Sequence, residues 1–175
     1  MDHMRRLALL LPLLLASAAG AQRHNSDAPI NFAANVIELQ DRANRGVLIG
    51  DVRVQQADMT LTAERLTVAY TGQVLDGSPQ VSRLDAAGGV LVRRPEQTAR
   101  GNYAVYDLNR RLITMVGDVT LTQGSNVVNG GRLTINLDTG RAVIDGSAVG
   151  GAAVDGVQRQ GGRVTGTFSV PKRQQ

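Results

Sequence analysis

Two histidines, fifteen acidic residues and no cysteine are what this chain offers for metal, thiol or imidazole chemistry. His3 lies near the start, and His24 lies in a polar stretch, Gln22–Ala28, that reads as a frayed tail. A metal centre or a His-based triad needs several such side chains to converge, and the material is lacking. The carboxylates could supply the acid pair of a glycosidase. Yet Asp51, Asp118, Asp138 and Asp145 stand beside glycine or in turn sequence, where aspartate commonly bonds backbone. The glycine-rich run 146–162 is followed by no Gly-Lys-Ser/Thr, so a phosphate-cradling loop is not supported. It reads as a flexible loop between the last two strands. No catalytic residue, metal or cofactor is expected, which leaves binding or scaffolding.

The elements that would present such a binding surface are legible in Gly50–Tyr70. Three runs alternate apolar and polar: Val52/Val54, then Met59/Leu61/Ala63, then Leu66/Val68/Tyr70. Alternation of this kind marks strands with one buried and one wet face. The buried parity is even, then odd, then even. Each slip of one residue flips the faces, so a turn is expected near Gln56–Asp58 and a bulge or corner near Ala63–Glu64. The unit recurs at an offset of 67, where Gly117-Asp118-Val119 repeats Gly50-Asp51-Val52 and Gly130–Ile135 repeats Ala63–Val68. A weaker copy starts at Gly88-Gly89-Val90. In all three, 13 positions separate the first glycine from a small residue: Ala63, Gly101 or Gly130. Repeats of this kind imply stacked strand units that share one core.

Composition supports an all-β chain. Aromatics are 3%, tryptophan is absent, and no long stretch after residue 21 has helical periodicity. Residues 1–21 carry Arg5 and Arg6, an apolar run Leu7–Ala18 and the small-x-small end Ala19-Gly20-Ala21. This is the pattern of a signal peptide cleaved after Ala21, and the apolar run is short for a spanning helix. Removing that segment leaves 17 basic and 14 acidic residues, a net +3. The excess is dispersed, with no basic run or aromatic platform, so nucleic acid is not an expected partner. About a dozen strands are predicted, joined by hairpins, in two packed sheets or a flattened roll. They include a short Val74-Leu75 strand and a final alternating strand on which Val164, Phe168 and Val170 share one parity.

The pattern Gly-Asp-Val-x-Val … Ala-x-x-Leu-x-Val, opened by Pro29-Ile30-x-Phe32 and closed by Arg163-Val164-Thr165 … Val170-Pro171, resembles the OstA-like family of lipopolysaccharide-transport proteins. The resemblance spans roughly residues 27–171 and fits the family's soluble periplasmic bridge members best. It implies a twisted open β-jellyroll of antiparallel strands whose apolar groove carries lipopolysaccharide acyl chains. The expected groove residues are Ile30, Phe32, Val52, Val54, Leu61, Leu66, Val68, Val90, Val92, Val119, Leu121, Leu133 and Ile135; ordinary core is the alternative role for each. Expected partner edges are Ile30, Asn31, Phe32 and Ala33 on the first strand, and Val164, Thr165, Phe168 and Val170 on the last. The implied partners are lipopolysaccharide, the related jellyrolls of the inner- and outer-membrane transport proteins, and further copies in head-to-tail association. A structural scaffold and a membrane-tethered relative are the competing readings.

Overall fold

A computed structural model describes residues 24–72, 79–146 and 162–170. The expected signal segment, the Val74-Leu75 strand, the interior of the glycine-rich run and Pro171 lie outside the described residues. Ten strands occur among those described: β1 (Ile30–Ala33), β2 (Val36–Gln40), β3 (Arg45–Gln56), β4 (Met59–Thr71), β5 (Gln80–Arg94), β6 (Gln97–Asp107), β7 (Leu112–Gln123), β8 (Asn126–Asn136), β9 (Ala142–Asp145) and β10 (Thr165–Thr167). A single turn of 3-10 helix, Asp41–Ala43, joins β2 to β3.

All ten belong to one antiparallel sheet, in place of the two sheets also considered. Its order is β1-β3-β4-β5-β6-β7-β8-β10, with β2 also on β3 and β9 also on β8. The outer side of β3 is thus covered by β1 along one half and β2 along the other. The outer side of β8 is covered likewise by β10 and β9. The sheet does not close.

A line of irregularities crosses the strands at mid-length. Register shifts fall at Ile49/Val52, Thr62/Arg65, Ala87/Val90, Arg100/Tyr103 and Val116/Val119. Here each strand bends; inward parity changes in β4, β6 and β8, as the slip at Ala63–Glu64 requires, while β3, β5 and β7 keep theirs. The bend divides the sheet into two halves. The first holds the hairpin tips at 57–58, 95–96 and 124–125; the second holds those at 108–111 and 137–141. Tyr106 in the second half reaches Gln56 in the first, three strands away in the sheet (Oη to Oε1, 2.8 Å). The halves therefore face each other as a roll folded along the corner line.

The sequence makes these corners with paired left-handed residues: Gly50 and Asp51 (φ 77° and 46°), Gly88 and Gly89 (83° and 54°), Gly117 and Asp118 (82° and 49°). Left-handed backbone costs most residues about 1–2 kcal/mol, less for glycine and aspartate. The first glycine of each pair also lies beneath a polar side chain. A Cβ there would come 2.7 Å from Asn35 at Gly50, 2.6 Å from Glu64 at Gly88 and 2.8 Å from Asn102 at Gly117. Asn35 and Asn102 donate to Asp51 and Asp118 (3.3 and 3.5 Å). The 13-residue step is the hairpin register itself: Val52 pairs with Ala63, Val90 with Gly101 and Val119 with Gly130. A small residue suits the inside of a bend.

The last strand departs from expectation. Alternation over 163–171 predicts a strand, but only Thr165–Thr167 pairs, against Val127–Asn129. Strand β8 begins at Asn126, so residues beyond 167 run past the hairpin tip with no ladder to join. There Ser169 bonds the Asn126 side chain instead (N to Oδ1, 3.0 Å). Val164, Phe168 and Val170 lie outside β10 and are exposed.

Gly50→Ala should destabilise the protein by about 1–3 kcal/mol, the usual cost of a strained corner. Gly124→Ala, at a left-handed hairpin tip with nothing within 4 Å, should cost about 1 kcal/mol. Urea unfolding midpoints of the two variants test the ordering.

Candidate functional site

The inner face of the roll is a lattice of paired apolar side chains. In the first half one row runs Phe32, Val54, Leu61, Val92, Ala99, Leu121, Val128, Gly166, each the register partner of the next. In the second half a row runs Val68, Leu84, Tyr106, Ile113, Ile135, beside Leu48, Leu66, Ala86, Ala104, Met115 and Leu133. Of the thirteen residues expected to line a groove, Val52, Val54, Leu61, Leu66, Val68, Val90, Val92, Val119, Leu121, Leu133 and Ile135 are 0–9% exposed. They form one cluster, against which Ile30 and Phe32 pack half-buried. The structure brings all thirteen together on one surface. In this state the side chains of the two halves fill the space between them.

The outer face of the first half is mainly polar: Arg53, Thr62, Leu91, Arg100, Thr120 and Asn129 follow one another in the row behind that wall. At the corner of β7 and β8 a surface notch of about 460 Å³ is lined by Gly117, Asp118, Gly130, Gly131 and Arg163, among others. Gly131 stands where the equivalent corners carry Asn35, Glu64 or Asn102, so no side chain fills the space.

The carboxylates divide by role. Asp51 and Asp118 hold corners, and Asp138 accepts from Arg111 (3.0 Å). Among the described residues no group of three or more His, Asp or Glu is placed to hold a metal.

The largest correction concerns residues 24–28, which are not frayed. They lie along the mouth where the free margins of the two halves meet. His24 is buried, its Nδ1 2.8 Å from Asp58 Oδ1 and its Nε2 3.2 Å from Gln56 Oε1. Gln56 Nε2 donates to the carbonyls of Ser26 (2.9 Å) and Ala28 (3.0 Å), which fixes its Oε1 toward His24 and Tyr106. Both ring nitrogens of His24 thus face side-chain oxygens. Asp27 pairs with Arg111 of the second half (2.8 Å), whose other arm holds Asp138. One signal for this site stood in the sequence. Gln56 continues the inward parity of Val52 and Val54, and a buried amide demands partners.

An open antiparallel roll with an apolar inner face defines a class of β-jellyroll proteins. The fold resembles the crystal structure of LptH from Pseudomonas aeruginosa, the LptA-homologous periplasmic component of the lipopolysaccharide transport device. The two match with a TM-score of 0.66 at 18% identity, covering 84% of this chain and 99% of that one. An uncharacterised protein of Rhizobium meliloti (strain 1021) is 32% identical over 145 residues, covering 75% of this chain and 78% of its own length. The family model described as LptA/(LptD N-terminal domain) LPS transport protein matches residues 31–141. The chain belongs to this family of lipopolysaccharide-transport proteins, whose role is not enzymatic.

Burial is the main cause that raises the Tyr106 phenol above its ordinary value, and Tyr70, bonded to Asp41, is also raised. A raised phenol stabilises the fold fully below the ordinary value near 10 and loses that contribution as pH climbs through the raised one. Thermal stability should therefore fall in the alkaline range, and Tyr106→Phe should flatten that fall while costing about 1 kcal/mol at neutral pH. Melting temperatures measured from pH 8 to 12 check both.

Proposed function

We propose that this protein is a periplasmic bridge that binds lipopolysaccharide by its acyl chains and passes it from the inner toward the outer membrane. The observation that carries the reading is the continuous inner row from Phe32 to Gly166, which reaches both open edges of the sheet. A wall of this kind offers hydrocarbon an apolar path with no barrier of charge, at ~0.8 kcal/mol per buried CH₂. Membership of the lipopolysaccharide-transport family supports the cargo. Residues 1–21 act as the cleaved export signal, and 22–175 form the jellyroll. No helix among the described residues is long and apolar enough to cross a membrane.

Edges supply the partners. Strands β1 and β10 end the sheet, and unpaired edges accept further strands by β-augmentation. The segment Ile30–Ala33 and the stretch Val164–Val170 dock the related jellyrolls of the membrane-bound transport proteins, or further copies head to tail. A second reading, a non-catalytic scaffold, is favoured by the filled interior. It differs in requiring no lipid between the halves.

A photo-crosslinking residue at Phe32 should capture lipopolysaccharide in cells, whereas one at outward-facing Thr62 should not. Capture at Thr62 alone would reverse the assigned faces. Deleting residues 163–175 should abolish association with at least one membrane-bound relative in pull-down. Unchanged association would remove the last strand as a docking edge.

A further inference from the structure

Residues 24–28 are held in two ways. The His24 ring faces Asp58 and Gln56, and three acceptor oxygens of residues 26–28 meet donors on the two margins of the mouth. The carbonyls of Ser26 and Ala28 receive the Gln56 amide, and the Asp27 carboxylate receives an arm of Arg111. Gln56 is 1% exposed, so its Nε2 cannot be left without acceptors when the segment moves. Arg111 belongs to the second half and Gln56 to the first, so the segment bridges the line along which the roll must part. Two planar carbonyls beside one anion, at the rim of an apolar interior, also describe the head of an acylated, phosphorylated sugar. Its ester or amide carbonyls would face Gln56 and its phosphate would face Arg111.

We propose that residues 24–28 occupy, in the closed protein, the site that takes the head of an acylated phosphosugar, and that cargo enters by displacing them. The inference rests on the lipid-carrying reading and locates the polar half of that site. Asp27 and Arg111 then have opposite roles although they form one ion pair. Asp27 competes with the cargo's phosphate, and Arg111 receives it. A purely structural pair would give its two members effects of the same sign, larger for Arg111, which also holds Asp138.

The test measures uptake of fluorescent lipid A, in phosphorylated and dephosphorylated forms, by the protein starting at Gln22 and by Asp27→Ala and Arg111→Ala. Both side chains are at least 39% exposed, and circular dichroism verifies that each variant keeps the fold. Asp27→Ala should strengthen binding of phosphorylated lipid A by about two- to fivefold, the scale of an exposed ion pair. Arg111→Ala should erase the preference for the phosphorylated form. Hydrogen exchange at the Ala28 amide, bonded in the closed state to the Asn25 carbonyl, should accelerate on loading. Effects of the same sign from the two substitutions, or unchanged exchange on loading, would overturn the proposal. Dodecyl phosphate serves as a second probe. If it obeys the Asp27/Arg111 opposition while lipid A binds to no variant, the site stands and the lipopolysaccharide reading falls. Binding of neither probe overturns the site as well.

Discussion

Along the corner line, six long strands must change direction together without losing their ladders. A flat sheet with one apolar face would have to leave that face in water, because the described residues include no helix layer to cover it. Bending the sheet onto itself solves the problem, and the bend is paid in backbone conformation. Gly50, Gly88 and Gly117 adopt left-handed angles, and each leaves the space that Asn35, Glu64 or Asn102 fills. Because the corners are in register across neighbouring strands, one half-sheet is laid on the other along its whole width. The shared interior, the facing margins and the open edges all derive from that alignment.

Among the described residues the interior produced in this way is built from Val, Leu, Ile, Ala and Met, with the aromatics Tyr106 in it and Phe32 packed against it. Small aliphatic side chains pack well against each other and equally well against hydrocarbon, since neither contact is directional. Tight closure is therefore compatible, on one surface, with the lipid binding proposed above. The closed arrangement is held by the polar seam. His24, Gln56, Asp58 and Tyr106 form a network in which removal of any member strands the others, and such networks favour discrete closed and open arrangements over partial ones.

Much of the fold was legible because strand faces write themselves into parity. The slips at Gln56–Asp58 and Ala63–Glu64 became a hairpin tip and a corner, and the 13-residue step became a pairing register. All thirteen expected groove residues fell on one surface for the same reason. Residues 24–28 escaped notice because their order is tertiary. Polar composition near a terminus carries no periodicity, and the partners of His24 lie 32 and 34 residues away. The final strand was overextended for the converse reason. Val164, Phe168 and Val170 alternate correctly, but a ladder needs a neighbour, and where β8 starts cannot be read from residues 163–171.

The pairing order has a kinetic meaning. From β3 to β8 every strand pairs with its successor, so the sheet is a meander assembled from adjacent hairpins. Closing short loops costs little entropy, and such chains can grow one hairpin at a time from any nucleus. Only β1 and β10 join across an intervening segment, and β10 does so over the span from Asp145 to Thr165 with three paired residues. Folding should thus finish, and unfolding begin, at the C-terminal margin. The molecule's most weakly retained strand is thus an outermost strand of the sheet, held by three paired residues alone.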